Sequence, residues 1–251
     1  MFKLIINADD FGLTKGCNKG IVKAFKEGLV TDTTVMINMK DGLDAINIAK
    51  SNGINRIGLH LNLTCGKPVL AAEQVRSLIN YEELLYKRES LIHPHMNLKE
   101  AESELWAQVE KFTETGMALT HIDSHHHIHI YEGLTEIFID IAKQLKVPLR
   151  QTGEVMKEKI IARGVKTTDY FTSEFYDRGV SMENICKILD RYDNGVLEIM
   201  THPAMLDDEL LRKSSYNRLR SKELEILTSK FLREYINDRK IELISFKDLR
   251  I

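Results

Sequence analysis

KLIINADDFG, residues 3 to 12, sets a short apolar run directly against two adjacent carboxylates and a glycine. Lys3 to Asn7 reads as a buried strand, and the chain then enters a polar turn, ADDFG. The same design recurs three times. Asn55 to Leu63 (NRIGLHLNL) predicts a strand that carries His60. Leu119 to Ser124 predicts a strand that opens into HHHIH, and Val196 to Thr201 (VLEIMT) one that ends at His202-Pro203. Working outward, helical spacing appears between these runs. Residues 17–27 place Ile21, Val22, Ala24 and Phe25 on one face and stop at Gly28. Residues 98–115 repeat Ala101, Leu105, Val109 and Phe112. Further helices are expected over 43–51, 134–145, 183–192 and 222–237, and further strands over 33–39, 147–151 and 241–246.

Strands alternating with helices imply a parallel sheet joined by crossover helices. About seven such steps fit an α/β fold of the distorted or incomplete (β/α) barrel kind, with an open doubly wound sheet as the alternative. No linker, repeat or low-complexity stretch divides the chain, so one domain over residues 1–251 is expected. Residues 71–100 are less regular and read as an insertion or lid.

Composition narrows the function. The chain has 251 residues, 43% hydrophobic and 29% charged, with a formal net charge of -2. A nucleic-acid partner would call for a basic excess, which is lacking. No apolar run reaches the roughly 18 residues that span a bilayer. The N-terminal apolar run is too short for a secretory signal, so a cytoplasmic protein is expected. Cys17, Cys65 and Cys186 are odd in number and far apart, and read as reduced thiols.

In parallel α/β folds the carboxyl ends of strands point to one rim, where active sites assemble. Four polar clusters fall there: Asp9-Asp10, His60, residues 121–129 and His202. Each has a bland alternative. Asp9-Asp10 could cap a helix, His60 could be a core histidine, and His202 could be a loop residue beside Pro203. The third cluster is harder to dismiss, because HIDSHHHIHI holds five of the nine histidines. On an extended strand His121, Asp123, His125, His127 and His129 would share a face, and His126 would fall among isoleucines. The strand therefore ends near Ser124 and the chain bends through the triple histidine. Imidazoles with a carboxylate suit a divalent transition metal, Zn²⁺ in particular. Two His and one Asp would leave positions open for water and substrate, and a nearby carboxylate and histidine could move protons. That is the chemistry of amide or ester hydrolysis.

NADDFGLTKGCNKGI, GLVTDTTVMIN, GLHLNLTCGKPV, HIDSHHHIH and EIMTHPA occur in this order. Together they resemble the YdjC-like (ChbG-type) carbohydrate deacetylase family, and RLRSKELEILTS resembles its C-terminal R…EL…L pattern. The resemblance implies a distorted (β/α) barrel related to polysaccharide deacetylases. It implies metal-dependent deacetylation of N-acetylated sugars, typically chito-oligosaccharides, phosphorylated or not. It implies one divalent ion per chain, Mg²⁺ or Zn²⁺, on Asp10, His60 and His125, with Asp9 as catalytic base and His202 as acid. It also hints at a homodimer.

Asp123 is then expected to orient an imidazole. His127 is the substitute ligand, and His127 and His129 are the next candidates for the base. An acidic rim is expected to keep His202 protonated. Arg150, like His127 and His129, is expected either behind the ligands or against the substrate, and Lys67, Arg150 and Arg218 are candidates to meet a substrate phosphate. Two other readings compete. A phosphoesterase would hold a second metal, which His126, His127 and His129 could supply. A non-catalytic sugar- or metal-binding protein would have no use for a free base.

Overall fold

β1 (Phe2–Phe11) is the centre of the molecule. Leu4, Ile5, Ile6 and Ala8 have no accessible surface, because both faces of this strand are covered, as in other parallel sheets. The structure is a computed structural model that describes residues 1–87 and 96–249. Around β1 lie β2 (Asp32–Val35), β3 (Arg56–Leu61), β4 (Ala118–Ser124), β5 (Tyr170–Thr172), β6 (Gly195–Thr201) and β7 (Glu242–Leu243). The order is β4-β3-β2-β1-β6-β5, and each pair is parallel. β1 is long enough to take two neighbours on one side. β7 pairs with it at Lys3 and Leu4, and β2 at Asn7, Ala8 and Phe11.

The crossovers are α1 (Lys15–Glu27), α2 (Gly42–Ser51), α3 (Leu98–Thr113), α4 (Leu134–Leu145), α5 (Glu154–Ala162) and α6 (Met182–Asp190). After β6 come α7 (Asp208–Lys213), α8 (Arg218–Leu227) and α9 (Lys230–Asp238). Their ends follow local chemistry. The Thr14 hydroxyl accepts from Cys17 N–H to cap α1, and Asn97 caps α3 through Lys99 N–H. α/β architecture with one parallel, barrel-like sheet is therefore what the alternating pattern produces.

Several expected boundaries move. The single helix over 222–237 is two helices. Thr228 and Ser229 hydroxyls bond back to the carbonyls of Leu224 and Ile226, and Ser229 then caps α9 through Leu232 N–H. The strand over 241–246 is only two residues long, because Ser245 Oγ and Phe246 N–H donate to Asp32 Oδ2 at 2.6 and 2.7 Å. Phe246 then stacks on His121 at 3.7 Å and floors the barrel. The strand over 147–151 reduces to one bridge, Leu149 with Ile122. β2 stops at Val35 rather than Met39, and α5 and β5 lie between 151 and 183, where no element was expected. Within 71–100 there are two short 3-10 turns, Ala72–Gln74 and Arg76–Leu78, and the first residues of α3. Ile79 and Leu85 form one antiparallel bridge, and residues 88–95 of that expected lid lie outside the described residues.

Candidate active site

Asp9 and Asp10 belong to β1 itself, not to a turn beyond it. Strand alternation would send adjacent side chains to opposite faces. Asp10 has φ +69°, and the pairing with β2 slips between Ala8 and Phe11. That irregularity brings both carboxylates to one cleft of about 730 Å³ at the carboxyl ends of the strands. Such a volume suits a small-molecule substrate. β3 delivers His60, the turn after β4 delivers His125, and the end of β6 delivers His202.

Asp10 is the hub. Its Oδ1 lies 3.4 Å from His60 Nε2 and 3.0 Å from His125 Nδ1, and its Oδ2 accepts from Arg220 at 2.6 Å. Asp123 Oδ1 takes the other ring nitrogen of His60 at 2.7 Å, which turns Nε2 toward Asp10. Thr34 Oγ1 donates to Asp123 Oδ2 at 3.0 Å. One carboxylate oxygen and two imidazole nitrogens thus lie within 4.8 Å of one another. This donor set fits a divalent cation, and the carboxylate behind His60 fits the way such ligands are held. Among the described residues a second possible group, Asp9, His60 and Asp123, shares His60 with the first. The Arg150 guanidinium already joins its two carboxylates, at 2.6 Å from Asp9 and 3.0 Å from Asp123.

The electrostatics follow from burial and these pairs. Burial alone would raise the Asp9 carboxyl, but the two-point contact with Arg150 holds it well below the usual carboxylate range. Asp10 is likewise held low against burial, by Arg220 and His125. Burial opposes charge on His60 and His125, yet Asp123 and Asp10 push them up to about 10 and about 9. His202 goes the other way. Burial brings it down to about 4, and Arg220 adds to that against the pull of Asp10 and Asp9. The expectation that an acidic rim keeps His202 protonated is therefore corrected: burial outweighs the carboxylates and leaves it neutral. Its Nε2 stands 4.0 Å from Asp9 Oδ2.

The histidine run separates by depth. β4 ends at Ser124, and His126 and His127 both have positive φ, 56° and 54°. His121 does not share the rim; it lies one layer below, against Phe246. His127 lines the cleft with its ring edge toward Phe171. Its ring is brought down to about 3, by burial first and then by Arg150. His126 is exposed and contacts Thr64 Oγ1 at 2.9 Å. His129 is fully buried, bonded to the Ser124 hydroxyl and packed on Phe138, and it does not line the cleft.

Arg150 cannot meet a phosphate. It has no accessible surface and binds Asp9, Asp123 and Glu198. Lys67 and Arg218 are exposed and lie outside the cleft lining, whereas Lys87 and Lys213 are part of it.

Sequence reasoning named the α8 stretch only as part of the resemblance and gave its residues no role. Arg220 reaches Asp10, and Glu223, one turn on, accepts the His202 backbone N–H at 2.5 Å and the Tyr216 hydroxyl. Burial first of all pushes the Glu223 carboxyl up to about 8. The signal was the i, i+3 spacing of Arg220 and Glu223 inside RLRSKELEIL, which puts both on one helix face.

Known proteins are similar to this chain over its whole length. The carbohydrate deacetylase of Brevibacillus brevis is 41% identical over 249 residues, 98% of this chain and 99% of that protein. The carbohydrate deacetylase of Thermoanaerobacter pseudethanolicus is 39% identical over 251 residues, with 98% and 99% covered. A solved structure from Enterococcus faecalis V583, described as that of a candidate cellobiose-phosphate cleavage protein, superposes with a TM-score of 0.93 at 35% identity. It covers 100% of this chain and 99% of its own. A family model described as YdjC-like protein matches residues 3–238, and with these full-length relatives it establishes that the chain belongs to the YdjC-like family.

Proposed function

We propose that the protein is a metal-dependent carbohydrate deacetylase that hydrolyses the acetamido group of N-acetylated sugars, of the chito-oligosaccharide type, to acetate and a free amine. The single observation that carries this reading is the pairing in one cleft of two unlike devices. Asp10, His60 and His125, with ligand atoms within 4.8 Å of one another, fit a cation, and beside them Asp9 and His202 stand 4.0 Å apart, placed to move protons. The names of the full-length relatives support the same reading.

A divalent cation on the triad would supply Lewis acidity, polarising the amide carbonyl and making water a nucleophile at neutral pH. The chain's own groups do the rest. Arg150 keeps Asp9 ionised and fixes both its oxygens. Asp9 takes a proton from the attacking water as the new C–O bond forms. His202 receives that proton and gives it to the nitrogen as the C–N bond breaks, so one proton passes from water to amine. Glu223 holds the His202 backbone in place for this transfer. Arg220 keeps the far oxygen of Asp10 engaged, so that Oδ1 faces the two imidazoles.

The test is acetate release across N-acetylated mono- and oligosaccharides, phosphorylated and unphosphorylated, with Mg²⁺ or Zn²⁺ added back to chelator-treated protein. Release that needs metal and prefers β-linked oligomers is the expected result. No release from any such sugar with either metal would refute the proposal.

A further inference from the structure

Beside His202 the cleft carries an aromatic wall that the hydrolysis itself does not use. Tyr176 and Tyr216 stack at 4.0 Å with an interplanar angle of 30°, and His202 meets their edges at 5.3 and 5.7 Å. The two tyrosines are not equivalent. Tyr216 is 7% exposed, with its hydroxyl tied to Glu223 and Arg220 over its ring at 5.3 Å. Tyr176 is 39% exposed and lines the cleft. A tyrosine backed on one face by another ring and open on the other presents a flat apolar surface beside the proton-moving histidine.

We propose that Tyr176 is a stacking platform for a pyranose ring, placing the sugar so that its acetamido nitrogen meets His202; this rests on the deacetylase reading for the identity of the reacting group, but not for the stacking. The apolar C–H face of a pyranose matches an aromatic face in size, and such rings offer large contact area at low entropic cost. The platform is built in advance. Asn184 Nδ2 donates to the carbonyls of Glu174 and Gly179, each at 2.9 Å, and so closes the loop that carries Tyr176. Arg191 fastens the same loop through Glu174, at 2.8 and 2.6 Å. A Cβ at Gly179 would come within 1.9 Å of the Glu174 carbonyl oxygen, so the turn closes tightly only with glycine there. Glu223 ties the wall to the chemistry, because it holds both the Tyr216 hydroxyl and the His202 backbone. Platform and proton donor thus keep a fixed spacing, and a sugar laid on Tyr176 is registered against His202.

Two measurements on the full chain test this. In the first, Tyr176→Ala, Tyr176→Phe and Tyr176→Trp are compared for acetate release from an N-acetylated β-linked disaccharide. The Ala variant is expected to raise KM about tenfold, with kcat falling much less, and Phe and Trp to restore KM, since stacking needs a ring and not a hydroxyl. In the second, binding of cellobiose, which has no acetamido group, is followed by saturation-transfer NMR. Tyr176→Ala is expected to lose the ring-proton signal that Phe and Trp keep. A KM and cellobiose signal in Tyr176→Ala within twofold of wild type, or a Phe variant as poor as Ala, would overturn the platform. If wild type released no acetate from any sugar, the deacetylase reading would fall, and the cellobiose measurement would still decide the platform.

Discussion

Replacing Arg150 by methionine isolates the central electrostatic element of the barrel. The guanidinium has no accessible surface and lies within 2.6–3.0 Å of three carboxylates, those of Asp9, Asp123 and Glu198. Methionine fills much of the same volume but returns no charge. Removing one partner from a buried ion pair typically costs about 3–5 kcal/mol, because the remaining charge is left uncompensated. For a chain of this size that corresponds to a fall in Tm of about 6–20 °C. The pH dependence gives the sharper test. Arg150 acts downward on the proton affinity of Asp9 and Glu198, so its loss raises their folded-state pKa values. A raised carboxyl adds stability that is complete below its unfolded pKa, near 4, and is lost as pH climbs through the folded value. The Tm difference between wild type and Arg150→Met should therefore widen from pH 5 to pH 8 in calorimetric scans. A deficit below 2 °C at pH 8, or one independent of pH, would show that Arg150 is not the counterion of this cluster.

The other predictions concern the triad, the base and the barrel floor. His125→Ala should abolish bound metal and acetate release together, and full occupancy by elemental analysis would remove His125 from the ligand set. Asp9→Asn should keep its metal and lose about 10²–10⁴-fold in kcat, the usual worth of a positioned base; loss of metal instead would make Asp9 a ligand. Asp32 is buried at the start of β2, and burial lifts its carboxyl from 3.8 to about 6. That group favours the folded state most below pH 4 and loses about 3 kcal/mol of this contribution as pH rises through 6. Asp32→Asn should thus gain Tm relative to wild type between pH 4.5 and pH 7.5, and a flat difference would argue against the shift.

The strand ends were legible because each is a local pattern. An apolar run meeting Asp9, His60 or Ser124 needs no knowledge of the rest of the chain. Asp10 was harder, since its place on the rim beside Asp9 depends on a positive φ that neither neighbour signals. Whether Arg150 supports the site or meets the substrate could not be read, because its three partners lie on β1, β4 and β6, far away in sequence. His202 looked like a ready acid because neighbouring charge can be guessed from sequence and burial cannot. β5 has three residues, too few for a period to show. The two helices at 218–238 share an apolar rhythm, and only the back-bonding of Thr228 and Ser229 divides them.

The position of β1 has a consequence for how the protein is made. It precedes the other six strands in sequence, yet its main-chain partners include β6, through pairs from Phe2–Gly195 to Ala8–Thr201, and β7, through Leu4–Leu243. Contacts that span nearly the whole chain are slow to form, because loop closure comes before any gain from pairing. Until β6 and β7 emerge, residues 2–6 of β1, which β2 does not reach, keep open edges, a segment prone to self-association and suited to chaperone capture. Phe246, stacked on His121 inside the barrel, follows all seven strands in sequence. Deleting residues 242–249 should leave one edge of β1 open at Lys3 and Leu4 and the nascent protein aggregating, although no residue of the cleft would have been touched.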